Sequence, residues 1–182
     1  VTALSRTMWE LEEKRHALVR SYRRFVPERV LALLGTADIA QVGKHTFTSR
    51  RLAAMMLSFR FPREVYTASG KELFDHVNEI IERTASIVTA KGGVVFNFAY
   101  DGYDAVFEGG SAAAVSTAVA VQQAVLEVNQ EREDRGQPRV SVRIALDEGD
   151  VMLGLVGDEN QMEPASISSS FSVARHLIEL GE

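Results

Sequence analysis

Residues 94–107, VVFNFAYDGYDAVF, constrain the fold more than any other stretch of this chain. Val94, Phe96 and Phe98 alternate into Tyr100. Asp101-Gly102 follows, and Tyr103, Ala105 and Phe107 resume the alternation. An Asp-Gly pair between alternating apolar runs predicts strand, two-residue turn, strand.

The elements around this hairpin define the topology. Residues 52–59, LAAMMLSF, are a continuous apolar run consistent with a buried strand. Residues 36–51 read as a loop or irregular strand, and 60–70 as a loop holding Pro62 and Gly70. Leu73, Val77, Ile80, Ile81, Ala85, Ile87 and Val88 form one stripe of a helix over 71–90, closed by Gly92-Gly93. A second helix is predicted over 111–132. A strand follows at 139–146, then a turn at Glu148-Gly149-Asp150 and a short strand at 151–156. Gly157 to Pro164 reads as a polar loop, 165–170 as short and extended, and 171–180 as a final helix. The order contains a β-α-β-β-α-β run, the ferredoxin-like arrangement. It predicts an α+β domain with a mostly antiparallel sheet and helices on one face.

Ahead of this domain, residues 1–34 carry apolar residues at heptad positions: Val1, Leu4, Met8, Leu11, Leu18, Tyr22 and Phe25, with Arg15 interrupting one. The pattern fits a signalling coiled coil or one amphipathic helix. Phe25-Val26-Pro27 breaks it, and Pro27 opens a short helix over 27–34 that Gly35 ends. The chain divides into this helical linker, 1–34, and a domain over 36–182 that either ends short or continues beyond Glu182.

Composition excludes several functions. The net charge of −5 offers no basic field to nucleic acid. The absence of cysteine removes disulfides, thiolate catalysis and Cys-type zinc sites. The 4 histidines, at 16, 45, 76 and 176, form no metal-ligand pattern. The absence of cysteine suits a cytoplasmic domain, and the start on Val rather than Met fits a piece of a longer protein with an upstream sensor or membrane part.

The hairpin resembles the central hairpin of class III adenylyl/guanylyl cyclase domains. So do further anchors in order: Tyr22 to Pro27, Lys91-Gly92-Gly93, Asn129-Gln130-Glu131-Arg132 with Gly136 and Pro138, and Val142 to Leu146 followed by Gly149, Val151, Gly154 and Gly157. Glu159 to Glu163 and the helix Phe171 to Leu177 complete the match over about residues 22–180. The resemblance implies the class III nucleotidyl cyclase fold and a dimer, homomeric or heteromeric, with sites shared between two chains. It also implies Mg²⁺ or Mn²⁺ on two carboxylates if the protein is active, acting in an in-line attack on the triphosphate.

Carried over residue by residue, the resemblance places the second metal carboxylate at Asp101. The first falls within Leu57-Ser58-Phe59, at Ser58 or Phe59, where no carboxylate stands. Glu64 is the next acid, beyond Pro62. The purine-selecting positions fall at Asn97 and Ala165, the ribose-positioning Asn at Ser172 and the transition-state Arg at His176. A lone Asp is a poor two-metal site, and imidazole cannot make the bidentate phosphate clamp of a guanidinium. The implied function is a degenerate cyclase homology domain, a dimerising and regulatory module with no cofactor. The alternatives are an active adenylate or guanylate cyclase (a phosphorus-oxygen lyase), or a nucleotide-binding sensor in which Asn97, Ser172 and His176 hydrogen-bond a ligand. Phe59, if it faces the cleft, would partly fill it.

Overall fold

A computed structural model describes residues 6, 8–17, 28–36, 45–157 and 162–181. Residues 8–17 (α1) are helical, and each is exposed. Of the heptad positions, Met8 and Leu11 are 61% and 62% exposed. Val1, Leu4, Leu18, Tyr22 and Phe25 lie outside the described residues, as do Pro27, the anchor Glu159 to Gln161, and Glu182. The elements that follow are α2 (Glu28–Leu33), β1 (Phe47–Arg60), α3 (Arg63–Tyr66), α4 (Gly70–Ala90), β2 (Val94–Ala99) and β3 (Gly102–Phe107). Then come α5 (Gly110–Asp134), β4 (Ser141–Gly157), β5 (Met162–Ile167) and α6 (Ser169–Leu180). The strands form one sheet in the order β2-β3-β1-β4-β5, with every neighbouring pair antiparallel.

Strand β1 organises both cores. Ala53, Met55, Leu57 and Phe59 pack with Val77, Ile80 and Val88 of α4 and with Ala114, Val121 and Val128 of α5. Leu52, Ala54 and Met56 point the other way, into a second core with Val30 and Leu33 of α2 and Phe171 and Ala174 of α6. The sheet is therefore covered on both faces, not on the single face expected. The unbroken apolar run at 52–59 has this cause, because a central strand buried on both sides has no face left for polar residues.

Several boundaries differ from the sequence reading, among them α3, inside the predicted 60–70 loop, and β5, which begins at Met162 inside the predicted Gly157–Pro164 loop. Strand β1 begins at Phe47, inside the 36–51 segment read as a loop or irregular strand. Residues 47–51 pair only with β4, beyond the reach of β3, and their mostly exposed side chains leave no apolar signature. Strand β4 runs through the predicted turn: Glu148, Gly149 and Asp150 pair with Ala53, Leu52 and Arg51. Gly149 is there for α6, since a Cβ would stand 2.6 Å from Ser170 Oγ. In the hairpin, Ala99 pairs with Gly102, so Tyr100-Asp101 forms the turn and Gly102 belongs to β3. A Cβ on Gly102 would lie 2.0 Å from the Leu57 carbonyl oxygen, so close strand approach selects the glycine. Finally, Ser168 caps α6, accepting from Ser170 N–H, so Ser169 and Ser170 are helical rather than extended.

Helix α4 starts with a capping box. Ser69 Oγ accepts from Glu72 N–H, and Glu72 accepts from Ser69 N–H. Helices α4 and α5 are tied by the fully buried Arg132. Its guanidinium pairs with Glu79 at 2.5 Å, donates to His76 Nδ1 and the Pro138 carbonyl, and stacks 5.2 Å from the Phe61 ring. Arg135 reaches the other oxygen of Glu79 at 2.6 Å.

Candidate functional site

The hairpin tip, the end of β1, β5 and α6 enclose a two-lobed cleft on the face that carries α2 and α6. The larger lobe is a cavity of about 800 Å³ between β2, β5 and the start of α6, lined by Asn97, Asp104, Ala165, Ser172 and Arg175 among others. The smaller, of about 290 Å³, lies beside the turn and is lined by Ser58, Asp101 and Gly102 as well as Asn97, Asp104 and Arg175. Asn97, Asp104 and Arg175 line both cavities and so form the waist between them.

Local sequence explains the waist. The β2–β3 register slips between Phe96 and Phe98, and Asn97 takes up the slip with φ 55°. Asn tolerates this left-handed region better than most residues. Its side-chain amide donates to Asp104 Oδ2 at 2.8 Å. Asp104 projects from β3 opposite Phe96 and Met56 and is 6% exposed. Burial holds its carboxyl above the usual carboxylate range, while the Asn97 hydrogen bond and the positive charge of Arg175 partly oppose that rise. Arg175 is exposed and makes no hydrogen bond or ion pair with another described residue.

The predicted positions divide among three places. Asn97, Ala165 and Ser172 meet in the larger cavity, and Ser58 and Asp101 in the smaller. The Ser172 hydroxyl donates to the Ser168 carbonyl. Of the two candidates for the first metal position, only Ser58 faces the cleft, and it pairs with Gly102 beside the hairpin turn. Phe59 is 1% exposed in the opposite core, edge-on to Phe61 at 5.7 Å, and does not fill the cleft. Its backbone N–H donates to the Asp101 carbonyl at 2.7 Å, which anchors the turn to β1. His176 lines neither cavity. It stands in solvent, with Nδ1 4.0 Å from Glu179 Oε2. Glu64 lines a separate cavity beside α4.

Two cleft residues escaped the sequence reading. Asp104 had a signal, being the one charged residue within a strand that is otherwise buried throughout. Arg175 had a weaker one. It follows Ser168 and Ser172 at helical spacing, on the face that meets the cleft.

A two-metal centre does not fit these donors. The turn supplies Asp101, and β1 supplies a hydroxyl at Ser58 in place of a carboxylate. Asp104, the acid of the waist, has one oxygen held by Asn97 and a carboxyl that burial raises, and Glu179, which also lines the smaller cavity, stands on α6 4.0 Å from His176 Nδ1. Mg²⁺ dehydrates reluctantly and needs charged oxygens to offset that cost.

No protein-family model matches the chain. It is 25% identical over 163 residues to an adenylate cyclase from Anabaena cylindrica, a match that takes in 86% of this chain and 32% of that protein's length. Among solved structures, a bacterial light-regulated adenylyl cyclase superposes on 99% of this chain and 53% of its own, with a TM-score of 0.80 at 20% identity. The adenylyl cyclase CyaB from P. aeruginosa superposes on 72% of each chain, with a TM-score of 0.64 at 18% identity. The guanylyl cyclase Cya2 covers 71% of this chain and 69% of its own, at 0.63 and 21%. The fold is that of class III nucleotidyl cyclase catalytic domains, and the sequence is similar to theirs.

Proposed function

We propose that this chain is a class III nucleotidyl cyclase homology domain that works as a dimerising, regulatory module without cyclase activity. The observation that carries this reading is Ser58. It occupies the cleft-facing position of β1 at the tip of the hairpin, in the cavity that Asp101 lines, and cannot replace a metal-binding carboxylate. Three further features support it. Asn97 is tied to Asp104, Ala165 has no side-chain donor or acceptor, and His176 faces solvent. The exposed α1 fits a link to a partner chain or an upstream sensor, with Met8 and Leu11 available for a second helix. An assay of the dimer on ATP and GTP with Mn²⁺ tests the reading, and cyclic nucleotide from that sample contradicts it.

One observation favours the alternative of an active adenylate or guanylate cyclase. Asp104 and Glu179 line the same cavity as Asp101, and Asp104 would bring a strand carboxylate to it from β3. Its hydrogen bond to Asn97 and its burial weigh against metal ligation.

A further inference from the structure

We propose that the two-lobed cleft holds a small organic cation, a primary amine or guanidinium whose N–H groups donate to Asp104 at the waist and whose alkyl part lies along the larger lobe. The inference rests on reading the cleft as free of cyclase chemistry.

Asp104 carries the inference. It is 6% exposed and lines both cavities, and its Oδ2 is taken by the Asn97 amide. Its Oδ1 accepts no hydrogen bond from another described residue. A carboxylate taken out of water is costly unless opposite charge and hydrogen bonds compensate it. An ammonium or guanidinium supplies both. Each offers only donors, the complement of an acceptor-only carboxylate.

The surrounding charges have the sign that a cation needs. In the larger lobe Asp104, Asp150 and Glu163 stand against Arg175. In the smaller, Asp101, Asp104 and Glu179 stand against Arg60 and Arg175. Each lobe is therefore net negative, and a cleft lined mainly by one sign of charge concentrates ligands of the other. Phe96 and Phe171, edge-on with ring centres 5.7 Å apart, give the larger lobe an apolar wall for a ligand's methylene groups. The volume of that lobe, about 800 Å³, is in the range of small-molecule sites. Arg175 lines both lobes with a charge that opposes such a ligand, which fixes the sign of its substitution.

The test is calorimetric titration of the whole chain at low salt with agmatine, which joins a guanidinium to an ammonium by a short alkyl chain. Tetramethylammonium, a cation without N–H groups, and Mg²⁺ are titrated in parallel. Saturable agmatine binding is expected, tighter than that of either control. Asp104→Asn should weaken it about tenfold or more, the scale of one charged hydrogen-bonded contact. Arg175→Gln should strengthen it, because the opposing charge is gone; that side chain is exposed, so the fold tolerates the change. Agmatine that does not saturate the chain, or that tetramethylammonium or Mg²⁺ matches, overturns the inference. So does an affinity that Asp104→Asn leaves unchanged or that Arg175→Gln lowers. Cyclic nucleotide is measured on the same protein with ATP or GTP and Mn²⁺. Product there contradicts the non-catalytic reading, whereas agmatine that fails to bind a chain giving no product removes only this inference.

Discussion

Asn97 and Asp104 face each other across the hairpin and are joined by a 2.8 Å hydrogen bond from the Asn97 amide to Asp104 Oδ2. The pair places an acid on the cleft and fixes it in a buried setting. Burial raises the Asp104 carboxyl above its ordinary 3.8, against the opposing effects of Asn97 and Arg175. The folded chain therefore holds that proton more tightly than the unfolded chain does. Stability contributed by the protonated acid is complete below 3.8 and is lost as pH rises through the folded value. Asp104→Asn removes the buried charge and keeps an acceptor for the Asn97 amide. Its melting temperature should exceed that of the parent at pH 7, and the difference should close below pH 4. A melting series across that range checks the sign, and a variant less stable at pH 7 than at pH 4 relative to the parent would contradict it.

Glu79 behaves in the opposite way. Burial pushes its carboxyl up, but Arg135 and Arg132 together hold it below the usual range. Its contribution is present above the ordinary value of 4.5 and is lost as pH falls through the lower folded value. Glu79→Gln leaves the fully buried Arg132 without its carboxylate. Breaking one side of such a pair costs about 3–5 kcal/mol, so urea denaturation at pH 7 should show a loss of that order. A loss below about 1 kcal/mol, the range of an exposed pair, would refute the bridging role.

Gly102→Ala should be severe. The added methyl would meet the Leu57 carbonyl oxygen at 2.0 Å, and that oxygen belongs to the backbone of the central strand. Overpacking costs about 1–3 kcal/mol where side chains can yield, and here the backbone must move. The measurement is the chemical-denaturation midpoint. An alanine variant within about 0.5 kcal/mol of the parent, as for an ordinary surface change, would show that the two strands do not approach as described.

Ser58→Asp tests the missing carboxylate directly. It places an acid in the cavity that Asp101 already lines. Mn²⁺ alone should then raise the melting temperature of the variant and leave that of the parent unchanged, since an ion that binds only the folded state stabilises it. An equal Mn²⁺ response in both proteins would mean that the parent already holds a metal through other groups.

Much of the fold is legible in the chain because its strongest signals are local. The hairpin, the stripe of α4 and the apolar run of β1 each follow from side-chain periodicity. What periodicity cannot show is the partner. The arm at 47–51 is paired through backbone with little buried side chain, so its sequence leaves loop and irregular strand undivided. Gly149 and Gly102 look like turn residues, whereas their small size serves close approach by Ser170 and by the Leu57 carbonyl. The cleft positions Asn97, Ala165, Ser172, Ser58 and Asp101 could be placed from the resemblance. Asp104 and Arg175 could not, because their meeting depends on the β2–β3 bulge and on the seating of α6.

The central claim is that this cleft does no cyclase chemistry. The most direct test incubates the chain with excess Mn²⁺ and ATP or GTP, and follows cAMP and cGMP while light scattering records the association state of the same sample. A confirmed dimer that yields neither product is the result this account predicts. Either product from that dimer would contradict it, and would mean that a second carboxylate, with Asp104 the first to test, completes a metal site beside Asp101.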